Sequence, residues 1–121
     1  IKVVKEGMAA VTTVGTAAKS FVGAPYQAAG KTGTAQVYSL KAGERYNASR
    51  IDERLRDHAL FMAFAPMEQP AIAVALIVEN AGWGASIAAP LGRQIFDYWL
   101  LGKKPGEPAP ATPPNRGVEV D

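Results

Sequence analysis

The sequence predicts an α+β fold in which a helix, three antiparallel strands and a second, covering helix follow one another. Three observations carry this. Apolar residues recur at helical spacing at the start of the chain, two apolar runs flank a Pro-bounded turn in the middle, and a second helical period follows them.

Ile1, Val4, Met8 and Val11 recur at the period of one helical face, with Lys2, Lys5 and Glu6 on the other side, which predicts a helix over 1–13. Thr12, Thr13 and Gly15 then weaken helical propensity, and Gly23 and Pro25 mark a connecting loop. From Gln27 to Leu40 the residues are small, β-branched or aromatic, including Thr32, Thr34, Val37 and Tyr38, which favours a strand. Its interior glycines mark a place where a ligand comes close to the backbone.

Residues 41–57 are rich in charge and read as a solvated excursion with a short helical turn near Asp52. Two runs, His58 to Ala65 and Ala71 to Val78, are joined by Pro66-Met67-Glu68-Gln69-Pro70 and form a hairpin. Leu60, Met62 and Phe64 share one face of the first, Ile72, Val74, Leu76 and Val78 one face of the second. Alanines dominate the opposite faces, and both faces read as buried. Ser86 is placed to cap the last helix, with Pro90 near its first turn, Ile87, Leu91, Ile95 and Trp99 on one face and an end near Gly102. Pro105, Pro108, Pro110, Pro113 and Pro114 make 103–121 a flexible, proline-rich spacer, in preference to a ligand for a proline-recognising partner, after a domain at 1–102.

The bulk properties exclude several function classes. The 121 residues suffice for one domain, and 48% hydrophobic with 20% charged residues is a globular composition. A net charge of +2, from 13 basic and 11 acidic side chains, is too small for the field that a nucleic-acid partner requires. No apolar run reaches the roughly 20 residues of a membrane span, and the first residues lack the zones of a signal peptide. A first residue of Ile rather than Met points to a fragment, with any signal upstream. The absence of cysteine excludes disulfides and thiolate metal sites, and a single histidine, His58, excludes a histidine-rich one.

The chemistry concentrates in Ala29-Gly30-Lys31-Thr32-Gly33-Thr34-Ala35. A lysine fixed on a strand attracts a carboxylate, and the hydroxyls of Thr32 and Thr34 donate to the same anion. Gly33 leaves room for a substrate lying against the strand. The Thr34 N–H is then positioned for a carbonyl oxygen that becomes negative. A bare three-residue match would equally describe a solvated edge-strand lysine.

Here the match is not bare. With Tyr26-Gln27-Ala28 before it and Gln36 after it, with Tyr46-Asn47-Ala48, with Glu53-Arg54-Leu55-Arg56-Asp57-His58-Ala59-Leu60-Phe61, and with Phe64-Ala65-Pro66, the chain resembles the penicillin-binding protein 2 family of class B transpeptidases. The likeness continues through Val78-Glu79-Asn80 and Ala89-Pro90 into Leu101-Gly102, leaving out the proline-rich tail. Such enzymes form an acyl-enzyme on the serine of a Ser-x-x-Lys motif, with Ser-x-Asn and Lys-Thr-Gly around it. Ser20, Ser39, Ser49 and Ser86 fit neither of the first two, and Thr16-Ala17-Ala18-Lys19 is only a loop imitation.

The resemblance therefore implies the C-terminal half of a serine β-lactamase-like transpeptidase domain, with Lys31 and Thr34 catalytic and Lys31, Thr32, Gly33 and Thr34 binding substrate. It implies a missing strand beside Ala71 to Val78, supplied by the N-terminal remainder that carries the nucleophile. It implies cross-linking of peptidoglycan stem peptides at D-Ala-D-Ala during cell-wall elongation, and acylation by β-lactams, without metal or organic cofactor. It further implies an anchor in the inner membrane, a periplasmic catalytic domain, and a membrane glycosyltransferase of the elongation complex as partner. A serine β-lactamase or D,D-carboxypeptidase shares the same strand, and a non-catalytic interaction module would also lack a nucleophile.

Three other features have plainer readings. His58 has the titration range of a general base but no nucleophile near it in sequence, which favours a structural hydrogen bond. Asp52, Glu53 and Asp57 alternate with Arg50, Arg54 and Arg56 as a salt-bridged solvent face does, in preference to a carboxylate pair for catalysis. Trp83, between Gly82 and Gly84, reads equally as a contact for substrate or partner and as a cover for the sheet edge.

Overall fold

Helix α1 (Lys2–Thr13) leads through a 3₁₀ turn (Ala18–Phe21) into strand β1 (Ala29–Ala35). A second 3₁₀ turn (Glu53–Leu55), strands β2 (His58–Ala65) and β3 (Ile72–Val78), and helix α2 (Ala88–Leu101) complete the order in this computed structural model. It describes residues 1–37, 39–45, 47, 49 and 51–107, so most of the proline-rich 103–121 lies outside the described residues. The strands form one antiparallel sheet in the order β1-β2-β3.

The hairpin strands fall where the alternating pattern puts them, whereas β1 is shorter than the expected Gln27 to Leu40. Ala35 pairs with His58, the first residue of β2, so the ladder has no partner beyond it. The Met67 N–H reaches Gln27 O at 2.7 Å, which ties the hairpin turn to the chain entering β1.

The core lies between the sheet and α2. Ala59, Phe61, Ala63 and Ala65 share this face with Val78, Leu76, Val74 and Ile72, so small residues on β2 stand beside large ones on β3. Phe61 and Phe96, at 1% and 0% exposure, lie there on either side of Phe21, with ring centres 6.0 and 6.2 Å from it. Above Phe61 the helix carries Gly92, where an added Cβ would come within 2.5 Å of the Phe61 ring. A close helix over a sheet of large side chains requires small residues, and Ala88, Ala89 and Gly92 provide them.

Ile87, Leu91, Ile95 and Trp99 do not cover the sheet as their spacing suggested; all four are exposed. Ala88, Gly92 and Phe96 follow the same period one residue later, about 100° round the helix, and they are the buried set. The cap is also different. Ser86 makes no N-cap bond; Ile87 is the N-cap, and the Ala88 and Ala89 N–H groups donate to Gly84 O at 3.0 and 2.9 Å. The helix ends at Gly102 as expected, in the left-handed conformation with φ 68°, and the Gly102 N–H donates to Tyr98 O.

Contrary to the expectation that both sheet faces are buried, the second is half open. Met62 and Ile77 are 56% and 68% exposed, and Ala73 and Ala75 beside them are exposed as well. On its outer side β3 pairs with no other strand among the described residues. An unpaired apolar edge templates strand exchange, and each Å² of apolar surface left in water forgoes about 25 cal/mol. The chain alone is therefore expected to self-associate or to unfold without a sharp transition. Light scattering and thermal unfolding on the purified chain test this; a monodisperse monomer with a sharp two-state melt would contradict it.

Candidate functional site

The strand Lys31-Thr32-Gly33-Thr34 is held from three sides. From α1, the Thr12 hydroxyl lies 2.6 Å from Ala28 O, fixing the chain as it enters β1. From β2, Ala63 packs against Gly30, where an added Cβ would stand 2.8 Å from both Ala63 Cβ and Met62 O. From the turn before α2, Gly84 lies so close that a Cβ there would fall on the carbonyl oxygens of Gly33 and Leu60, both backbone atoms that cannot step aside. Glycine is required there because the turn itself presses on the site strand.

Each side chain has its own environment. Lys31 is exposed, and its Nζ donates to Thr32 O at 2.6 Å, folding back along its own strand. Thr32 is buried, with its Oγ1 2.7 Å from Thr16 Oγ1. Gly33 faces Leu60 across the ladder, and a Cβ there would approach Leu60 Cβ to 3.2 Å, so its smallness first serves that neighbour. Thr34 is exposed, and its Oγ1 lies 3.5 Å from the Gly84 N, at the outer limit for accepting from it.

A polar network fastens α2 to the chain that precedes β1. The Arg93 Nε donates to Asp97 Oδ1 and Oδ2 at 2.8 and 2.9 Å, and its Nη1 to Ser20 O and Val22 O. The Tyr26 hydroxyl donates to Asp97 Oδ1 at 2.7 Å. Burial first, and then the Asp97 carboxylate, pushes the Tyr26 phenol well above the ordinary tyrosine range. The guanidinium carbon stands 6.0 Å from the ring centres of both Phe21 and Tyr26, within cation–π reach.

These elements match a known domain. Residues 1–97 fit the model of the penicillin-binding protein transpeptidase domain. The chain belongs to that family.

Two relatives are peptidoglycan D,D-transpeptidases MrdA: 54% identity over 100 residues with that of Escherichia coli K12, and 48% over 103 residues with that of Haemophilus influenzae Rd. These alignments cover 81% and 84% of this chain and 16% of each relative, so the chain spans about a sixth of their length. Among solved structures it matches Pseudomonas aeruginosa PBP2 in complex with WCK 5153, at TM-score 0.64 and 39% identity, over 88% of this chain and 20% of that one. It also matches PBP2 from a complex with MreC of Helicobacter pylori, at TM-score 0.64 and 29% identity, over 81% of this chain and 17% of that one. The α+β fold and the resemblance to penicillin-binding protein 2 are thus borne out.

In this transpeptidase segment the other sequence-read residues take structural positions. His58 Nδ1 accepts the Asn80 N–H at 2.8 Å, which places its ring proton on Nε2 and gives it the structural hydrogen bond expected. Asn80, at φ 52°, also donates from Nδ2 to Arg54 O and Arg56 O. Asp52 stays in solvent beside Arg54, but Asp57 does not belong to a solvated face. It is buried, its Oδ1 accepts the Val37 N–H at 3.4 Å and its backbone oxygen accepts the Gly82 N–H. A run of charges cannot reveal that one carboxylate turns inward to accept from a backbone N–H twenty residues away. Trp83 is 61% exposed.

The sequence reading took Thr16 only as part of a loop imitation and Gly84 only as a neighbour of Trp83, and it passed over Arg93 and Asp97. Gly84 had a signal in the flanking of Trp83 by two glycines; the others meet their partners only through the fold.

Proposed function

We propose that this segment supplies the Lys-Thr-Gly wall to the active site of a peptidoglycan D,D-transpeptidase of cell-wall elongation, and that the remainder of the protein supplies the nucleophilic serine. The observation that carries the reading is an exposed lysine on a braced strand, next to two threonines, in a chain half identical to D,D-transpeptidases. Lys31 offers a cation to the substrate carboxylate and to the proton network around the serine, and Thr32 and Thr34 offer hydroxyl donors. The Thr34 N–H stabilises the oxyanion while the serine attacks the D-Ala-D-Ala carbonyl; the terminal D-Ala leaves, and an amine of a second stem peptide resolves the acyl-enzyme. A β-lactam enters the same path and leaves the serine acylated. None of these steps calls for a cofactor.

The half-open sheet face, the outer side of β3 and the apolar stripe Ile87, Leu91, Ile95 and Trp99 are surfaces for the N-terminal remainder to cover. Relatives of this kind favour transpeptidation over the hydrolysis of a β-lactamase or carboxypeptidase. The reading extends to the periplasmic face of the inner membrane, with an elongation-complex glycosyltransferase and, after the Helicobacter pylori complex, an MreC-type protein as partners.

Fluorescent penicillin tests the division of labour. The isolated chain is expected to form no covalent adduct, while the complete enzyme forms one on a serine outside this segment. A stoichiometric serine-linked adduct on the isolated chain would refute the proposal.

A further inference from the structure

We propose that Thr16 is a positioning residue for the substrate-anion site: its hydroxyl donates to Thr32 Oγ1 and so leaves the Thr32 proton free for the carboxylate of an acyl donor. The inference rests on the proposed role of Thr32. The two hydroxyl oxygens are 2.7 Å apart, and either can be the donor. Each hydroxyl has a single proton, so a Thr32 that donates to Thr16 has none left for a ligand. The reverse order makes a directed chain, Thr16 to Thr32 to anion, in which each bond polarises the next.

The turn carrying Thr16 is built to hold it there. The Gly15 N–H donates to Ala10 O at 2.8 Å and the Ala17 N–H to Val11 O at 3.0 Å, folding the chain back over the end of α1. A Cβ at Gly15 would stand 2.8 Å from Val11 Cα, so the reversal is closed to larger residues, and Ala17 is wholly buried beneath it. Thr16 itself is exposed and lines a groove of about 590 Å³ with Lys19, Ser86 and Pro90. Packing therefore does not demand a threonine at this place; a hydroxyl facing Thr32 does.

The test compares acylation of the complete enzyme by a penicillin with its free carboxylate and by the methyl ester of the same penicillin. The ratio of the two rate constants reports recognition of the anion. Thr16→Val is expected to lower that ratio about fivefold, as losing the neutral hydrogen bond that turns the Thr32 proton toward the anion does. Thr16→Ser should restore it, and adding Thr16→Val to Thr32→Val should change it no further. Thr16→Ala repeats the measurement should the valine variant fold poorly. A ratio that falls in Thr32→Val but not in Thr16→Val, or acid and ester rates that fall alike in Thr16→Val, overturns the inference alone. A ratio unmoved by Thr32→Val overturns the anion role of Thr32 on which it rests.

Discussion

Replacing Lys31 by alanine in the complete enzyme is expected to slow acylation by penicillin by about a hundredfold or more while the protein melts at its normal temperature. The two halves of this expectation come from different observations. Lys31 is exposed, and its Nζ bonds a carbonyl of its own strand, so its removal opens no cavity in the core. Across the ladder it stands beside Met62, on the half-open face, and not in the core under α2. The energetic consequence of losing the cation then falls on the reaction, where a positioned charge acts on a substrate anion and on proton transfer. Stopped-flow acylation and a thermal melt on the same preparation separate the two. A folded variant that is acylated at the normal rate would remove Lys31 from the site.

That the Lys-Thr-Gly strand could be read from the sequence while its supports could not has a physical reason. Lys31, Thr32, Gly33 and Thr34 are consecutive, so they share one stretch of strand, with Lys31 and Gly33 on one face and Thr32 and Thr34 on the other. Thr16 reaches Thr32 only because α1 stops and Gly15 allows a sharp return, and Gly84 reaches Thr34 from 50 residues further along. The hairpin was legible because a two-residue period bounded by Pro66 and Pro70 admits few other structures. The phase of α2 was not, because two apolar stripes run side by side on that helix. The larger one, Ile87, Leu91, Ile95 and Trp99, gives the stronger pattern, but Phe61 and Leu76 already fill the space above the sheet. Only knowledge of the facing surface shows that glycine and alanine must turn toward it. Ile87, Leu91 and Ile95 on the stripe left outside stay exposed among the described residues, and the segment spans a sixth of its relatives.

Replacing Asp97 by alanine is expected to destabilise the transpeptidase domain by about 3–5 kcal/mol, the usual cost of removing one partner from a buried ion pair. Asp97 is 5% exposed and accepts from Arg93 and Tyr26 at once, so its loss leaves a guanidinium and a phenol facing each other without the carboxylate that joins them. The Arg93 side chain is only 16% exposed and is held against the Ser20 and Val22 carbonyls, which limits its escape to water. Arg93→Ala would strand the carboxylate instead, and the double variant should cost much less than the sum of the two, because the second substitution removes the charge that the first left behind. Tyr26→Phe removes one hydrogen bond and no charge, and should cost about 1 kcal/mol. Urea midpoints for the four variants in the complete domain decide the matter. Asp97→Ala within about 1 kcal/mol of the parent, or additive Asp97 and Arg93 effects, would show that the pair is not what fastens α2 to the chain entering the Lys-Thr-Gly strand.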